Sequence, residues 1–252
     1  MNKRFRLLAF LSVLLLTTMA CSITRNTPTP PPGVDEKDQN VLVTENRQLG
    51  EFTAIDMDGG AKVVLVQGNQ HSIIVEGSRR VVDQVITKVN DGVLEINFRD
   101  RILFENWGES LTLTITFTNL SDFRLDGGVE LIADGLNLEN LNITINGGAS
   151  VKMNNLLLNT LGMTLLGGGD IQVSGIAETQ NVKVSGGTSY DAEDLQSANV
   201  SVEIIGAADV VVWVTEALNL DLAGAYSVSY WGSPAITQSI TGLGEIKALG
   251  EK

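Results

Sequence analysis

The sequence is poor in the residues from which most catalytic and metal sites are built. It has one cysteine, Cys21, and one histidine, His71, in 252 residues. A single cysteine excludes an intramolecular disulfide, and one histidine leaves no basis for a zinc site made of His and Cys clusters. Cys–His nucleophile pairs and Ser–His–Asp triads are likewise poorly supported. We therefore expect no cofactor, no metal and no catalytic residues.

Positive charge is also scarce, since 17 basic residues stand against 30 acidic ones and the net charge is −13. The first 21 residues contain Lys3, Arg4 and Arg6 and no acid, so the remainder carries 14 basic residues and a net charge of −16. That charge repels nucleic acid and anionic lipid headgroups. We expect no nucleic acid among the partners of this protein.

The N-terminal segment has the features of a secretory signal. The basic residues precede an apolar run at residues 7–16, which is too short for a transmembrane helix. Ala20 stands directly before Cys21, an arrangement that resembles the lipobox of bacterial lipoproteins. The resemblance implies that residues 1–21 are a signal peptide and that Cys21 is lipidated, for example with palmitate, and anchors the protein to a membrane. The alternative is ordinary cleavage beside an incidental thiol.

Residues 22–40 form a predicted spacer. They contain four of the five prolines of the chain, at positions 28, 30, 31 and 32, among Thr, Asn and charged residues. Such a composition cannot bury a core, and proline keeps the backbone extended. We therefore expect a disordered spacer that holds a folded domain, residues 41–252, away from the bilayer.

The folded domain contains a repeat of about twenty residues. Glycines recur at positions 127, 147, 167, 186, 206, 224 and 242. Before each of them apolar and polar residues alternate, and apolar residues return four and six positions after it. Alternation with period two is typical of strands with one buried face, and the glycines mark tight corners between them. Eight positions after most of these glycines stands Gly, Asn or Asp (Gly135, Asn155, Gly175, Asp194, Gly232 and Gly250), which predicts a second corner.

Stacking of such repeats predicts an all-β fold, a parallel and by the usual chirality right-handed β-helix or solenoid of about eight coils. The eighth copy lies upstream, around Gly59. Residues 69–120 break the period and include the hairpin signal Asn90-Asp91-Gly92, with a short helix near residues 78–84. We therefore expect an irregular, hairpin-containing insertion near the N-terminal end.

The Gly-Gly strand repeats, the segment Phe52-Thr53-Ala54-Ile55 and the segment Asp91-Gly92-Val93-Leu94-Glu95-Ile96 resemble one known family. They are similar to the putative auto-transporter adhesin, head GIN domain family, over about residues 50–248. The resemblance implies a secreted or lipid-anchored bacterial protein with a β-helical fold. It supplies no catalytic residues.

One outward-facing column of the repeat alternates acidic residues and serine. It stands three positions after each corner glycine and consists of Glu130, Ser150, Asp170, Ser189, Asp209, Ser227 and Glu245. The functional interpretation is a ladder of weak sites for cations or sugar hydroxyls. The simpler one is a solvated face on which alternation keeps like charges on adjacent coils apart.

A second candidate surface lies near the C-terminal end. Trp213 and Trp231 occupy the same column of neighbouring repeats, with Val211 beside them. An exposed apolar strip of this kind marks a contact with a protein or carbohydrate partner. The alternative is that the C-terminal tail or a second copy of the chain covers the rings.

These observations predict a lipid-anchored protein of the bacterial cell envelope that faces outside the cytoplasm, at the outer membrane or cell surface. Its expected role is adhesion, or binding of an extracellular protein or glycan, without catalysis. One alternative is a structural protein that assembles into homo-oligomers. The other is a polysaccharide-active enzyme, which is disfavoured because the only basic residues from position 121 onward are Arg124, Lys152, Lys183, Lys247 and Lys252.

Overall fold

In a computed structural model, residues 40–99 and 111–252 are described, and they form an all-β fold with one short helix. The elements are β1 (Leu42–Gln48), β2 (Ala54–Asp58), β3 (Ala61–Gln67), β4 (Ser72–Ser78), α1 (Arg79–Val82), β5 (Val85–Asn90), β6 (Val93–Phe98), β7 (Thr112–Phe117), β8 (Asp122–Asp126), β9 (Val129–Asp134), β10 (Asn137–Trp231) and β11 (Ala235–Gly250). The predicted all-β class is confirmed. The predicted signal peptide, Cys21 and nearly all of the predicted spacer lie outside the described residues.

All eleven strands belong to one mixed sheet that is open at its ends. Its order is β1-β4-β7-β3-β9-β10-β8-β2-β6-β5, and β11 adds to β10. The pairs β1–β4, β4–β7 and β5–β6 are antiparallel, whereas β2, β3, β8, β9, β10 and β11 pair with one another in parallel. The antiparallel pairs therefore lie at the two ends of this strand order, and they are formed by strands from the N-terminal part of the chain.

The long element β10 returns beside its neighbours at the predicted interval. A straight strand of its 95 residues would extend over roughly 300 Å. Instead, Ile143 pairs with Phe123, and Val151 with Leu131, in parallel and twenty residues apart. Near the end of β10, where β11 pairs with it, the offset between paired residues is eighteen. The chain thus turns repeatedly and lays each repeat beside the previous one. We call each repeat, centred on its corner glycine, a rung.

The corner glycines stack directly on one another. Gly186 has a φ of 141°, a conformation that side chains with a Cβ rarely adopt. A Cβ added to it would overlap the carbonyl oxygen of Gly167 on the previous rung. The same overlap with the previous corner recurs at Gly127, Gly147, Gly167, Gly206, Gly224 and Gly242. Only glycine lets the backbones of successive corners approach this closely.

The core is built from the columns that the alternation pattern placed inside. On the rungs centred at 127 to 206 every member of the four inward columns is buried: Phe123, Leu125, Leu131, Ala133, Ile143, Ile145, Val151, Met153, Met163, Leu165, Ile171, Val173, Val182, Val184, Tyr190, Ala192, Val202, Ile204, Val210 and Val212. The upstream copy is also confirmed, because β2 pairs with β8, and β3 with β9. Burial of such side chains stabilises the fold by about 1.5–3 kcal/mol each.

The second corner is confirmed at most of its predicted positions. Positive φ angles occur at Gly135, Asn155, Gly175, Gly232 and Gly250. Asp194 does not have one, so a left-handed backbone is absent there. A left-handed backbone conformation is costly for a residue with a Cβ.

The N-terminal end is closed by irregular elements, as predicted. β5 and β6 form an antiparallel hairpin whose turn holds Asp91 and Gly92 at positive φ. Val81 and Val82 of α1 are buried against the core. The guanidinium of Arg47 on β1 donates 2.8 Å and 3.4 Å hydrogen bonds to the carbonyl oxygens of Val85 and Val82. These contacts tie the edge strand to the hairpin.

Candidate binding surfaces

The alternating ladder lies along the outside of the stack. All seven of its members are exposed: Glu130, Ser150, Asp170, Ser189, Asp209, Ser227 and Glu245. Ser150 pairs in register with Glu130, and Ser227 with Glu245, so successive members occupy adjacent strands. The described strands thus bring these residues into one column, as the sequence indicated.

The spacing of the ladder limits what it can hold. Adjacent strands lie about 4.8 Å apart, which separates carboxylates two rungs apart by roughly 10 Å. Among residues 40–99 and 111–252 no group of three or more His, Cys, Asp or Glu side chains lies close enough to hold a metal ion. Glu130 also has a cation already, since its Oε1 lies 2.9 Å from Nζ of Lys62 on the preceding strand. The arrangement suits hydrogen-bonding groups spaced along the stack better than a chelated ion.

A groove of about 680 Å³ runs over the middle of this ladder. Asp170, Ser189, Asp209 and Ser227 line it across four rungs, together with small residues beside the corners. Tyr226 adds an aromatic ring, and Leu243, which is 84% exposed, adds an apolar side chain. The groove thus combines carboxylates, hydroxyls and apolar surface, the mixture of groups that orients and holds a ligand. Sequence reasoning did not single out Tyr226, because its column is occupied by small residues on most other rungs.

A buried polar network lies behind the groove. Tyr190, next to Ser189, donates a 3.0 Å hydrogen bond from its hydroxyl to Oε1 of Gln180. Nε2 of Gln180 in turn donates to Oγ of Ser197 at 2.7 Å. All three side chains are buried, and burial raises the pKa of the Tyr190 phenol far above its ordinary value. The network satisfies polar atoms inside an apolar core and so fixes the alignment of neighbouring rungs.

The C-terminal lysine lies beside the tryptophan strip. Trp213 and Trp231 are half-buried, as is Val211. Nζ of Lys252 lies 5.4 Å from the ring centroid of Trp213 and 5.8 Å from that of Trp231. The same ammonium forms a 2.6 Å ion pair with Asp194. The ion pair with Asp194 and the two cation–π contacts thus place the C-terminal lysine beside both rings.

His71, the one histidine of the sequence, contacts neighbouring side chains of the fold. Its ring packs edge-on against Phe52, with 5.0 Å between centroids, and its Nε2 lies 3.3 Å from the hydroxyl of Thr118.

Comparison with known families decides the relationship of this chain. The sequence profile of the family described as "Putative auto-transporter adhesin, head GIN domain" matches residues 51–234, well over half of the 252 residues. The chain belongs to this family. The predicted resemblance is thereby confirmed, and the family name is that of an adhesin, which is consistent with a location at the cell surface or envelope.

Several solved structures share the fold of this head GIN domain protein. A putative adhesin from Bacteroides fragilis superimposes with a TM-score of 0.78 at 23% identity, over 84% of this chain and 99% of that one. A putative lipid binding protein from Parabacteroides distasonis gives 0.65 at 19% identity, over 82% and 96%. A putative adhesin from the same species gives 0.60 at 16% identity, over 84% and 98%. At these identities the likeness establishes the fold alone. A search of curated proteins found no match.

The described helix has no membrane-spanning character. In residues 40–99 and 111–252, no helix is long and apolar enough to cross a bilayer.

Proposed function

We propose that this head GIN domain protein is a lipid-anchored, non-catalytic binding protein of the bacterial envelope. It presents a rigid parallel β-solenoid whose groove contacts an extracellular protein or glycan. The observation that carries the proposal is the groove over the Asp170–Ser227 part of the ladder, with its regular alternation of carboxylates and hydroxyls. Membership of an adhesin family supports the same role.

The parallel offsets and the stacked corners support the solenoid interpretation. The displacement between rungs is 20 residues where β10 pairs with β8 and β9 and 18 where it pairs with β11, and each corner glycine from Gly127 onward lies on the corner before it. A stack of this kind contacts ligands through the outward columns of several rungs at once, so weak contacts add along its length. Affinity would then come from many small contributions rather than from one deep pocket.

The anchor is proposed from the sequence of the N-terminal segment. Acylation of Cys21 would hold the chain at a membrane, because each buried methylene contributes about 0.8 kcal/mol. Residues 22–40 would then separate the solenoid from the bilayer. Replacing Cys21 by alanine should move the protein from the membrane fraction to the soluble fraction and abolish incorporation of a labelled fatty acid. Retention of the label by Cys21→Ala would contradict the anchor.

The binding role is tested with the purified full chain and immobilised fractions of bacterial cell wall and animal extracellular matrix. The double variant Asp170→Ser, Asp209→Ser removes both carboxylates from the groove. Its matched control, Glu178→Ser with Asp221→Ser, removes two exposed carboxylates that do not line the groove.

We expect retention of the groove variant to fall by about tenfold or more, because hydrogen bonds to charged groups contribute about 1.5–3 kcal/mol each. The control should bind like the wild type. Equal retention of groove variant and control would refute the groove as the binding surface, and absence of retention by the wild type would refute binding to either class of fraction.

A further inference from the structure

The last rung differs from all earlier ones because its inward side chains are uncovered. Ile236 and Ile240 of β11 are 40% and 41% exposed. Their pairing partners on the previous rung, Leu218 and Leu222, are fully buried. Ile246 is only half-buried, against the fully buried Val228. The apolar interior of the stack therefore opens at this end.

The backbone of β11 is open in the same place. Within the described part of the chain it pairs only with β10, which leaves its second edge without a strand. The tail beyond β11 does not cover that edge, because Lys252 reaches back to Asp194 on the side of the stack. An edge strand of sixteen residues with apolar side chains is a strong template for pairing with another chain.

The two ends of the stack are unlike each other. At the N-terminal end α1, the antiparallel strands and the Arg47 hydrogen bonds close the core. At the C-terminal end β11 pairs with β10 alone, and the helix of the described residues contacts β4 and β1 instead. The asymmetry shows which end is available for a partner.

The distribution of charge favours a second copy of this chain as the partner at the C-terminal end. Although the chain carries a net charge of −13, β11 contains one acid and one base, Glu245 and Lys247, and is neutral. Two identical chains repel each other over most of their surface but not at this end. The β11 edge also offers its partner apolar side chains, among them Ile236, Ile240 and Ile246.

We propose that two copies of this chain join end to end through β11, in a two-fold symmetric dimer with antiparallel β11 strands. The corner at Gly242 divides β11 into two arms of nearly equal length. A two-fold axis near this corner pairs the arm before Gly242 in one copy with the arm after Gly242 in the other copy. The apolar interiors of the two stacks then face each other. The same patch of both copies is used, so the assembly closes at two. This inference does not depend on what the groove binds.

Cysteine cross-linking in intact membranes tests the proposal on the full chain. In the proposed dimer Thr241 lies next to the two-fold axis, opposite the residue after Gly242, and its two copies are diagonal neighbours about 7–8 Å apart. Thr241→Cys should therefore give a dimer with a short bis-maleimide reagent. The matched control is Ser185→Cys, an exposed residue of the same column three rungs away. The wild type reports any reaction at Cys21.

The expected result is a dimer band for Thr241→Cys and none above the wild-type level for Ser185→Cys. Adding Ile240→Lys to Thr241→Cys should lower the cross-linked fraction by about tenfold or more, since it places a charge against an apolar surface. Because Thr241→Cys and Ser185→Cys replace exposed polar side chains, their comparison does not depend on tolerance of a core change. Equal cross-linking of the two, no dimer from either, or a product with a chain of different mass would each overturn the proposal.

Discussion

Replacing Gly186 by alanine should destabilise the protein, whereas the same replacement at the adjacent Gly187 should not. Gly186 has a φ of 141°, and a methyl group there would meet the backbone carbonyl of Gly167. At Gly187 an added Cβ would meet nothing within 4 Å, and the residue is exposed. The two positions are neighbours in sequence, but only Gly186 has a positive φ and lies against the backbone of the previous rung.

The size of the effect follows from two contributions. A residue with a Cβ held in a glycine-only conformation costs about 1–3 kcal/mol. Forcing an extra carbon against immobile backbone costs about 1–3 kcal/mol more. Gly186→Ala should therefore lower the free energy of unfolding by about 2–6 kcal/mol. Gly187→Ala should change it by less than about 1 kcal/mol, in the stabilising direction, because alanine restricts the unfolded chain.

Thermal and urea unfolding followed by circular dichroism measure both variants. For a domain of this size, 1 kcal/mol corresponds to about 2–4 °C in Tm, so Gly186→Ala should melt well below the wild type. Similar midpoints for Gly186→Ala and Gly187→Ala would refute the inference that the stacked corners require glycine.

Three further predictions concern the core and the tail. Gln180→Leu should lower the free energy of unfolding by about 1–3 kcal/mol in urea unfolding, because it leaves the hydroxyls of Tyr190 and Ser197 buried without their partner; an unchanged midpoint would show that the network contributes nothing. Burial raises the pKa of Tyr190 above the ordinary 10.0, so the unfolded chain loses this proton first and the stability that Tyr190 contributes should fall as the pH rises above 10.0; unfolding at alkaline pH should depend less on pH in Tyr190→Phe, and equal slopes would contradict this. Lys252→Ala should shift the tryptophan emission to longer wavelength by uncovering Trp213 and Trp231, and an unchanged spectrum would show that the lysine does not shield the rings.

Much of the fold could be predicted because the corner and inward positions of the repeat keep the same type of residue from one rung to the next. A glycine at every corner and apolar residues at fixed distances from it place Ile145, Leu165 and Val184 in one buried row, as the structure confirms. Such a prediction needs no long-range information, since each rung binds its neighbours by the same rule.

The features that the sequence did not predict depend on single residues outside the repeat. Nothing in the pattern indicates that Lys252 pairs with Asp194, because the contact joins positions 58 residues apart. The Gln180–Tyr190–Ser197 network is equally irregular, since these three residues occupy columns that hold other residue types on neighbouring rungs. Asp194 was predicted as a corner from its residue type alone, and residue type does not fix φ.

The most direct test of the account is a set of distances along the ladder. If the rungs stack as equivalent layers about 4.8 Å apart, spin labels at Ser150 and Ser227, four rungs apart, should give about 19 Å, and labels at Glu130 and Glu245, six rungs apart, about 29 Å. Pulsed electron paramagnetic resonance measures both pairs in the full chain, with the wild type as the labelling control. We predict distances that grow in proportion to the number of rungs. Distances unrelated to that number would contradict the stacked architecture and, with it, the groove that crosses the rungs.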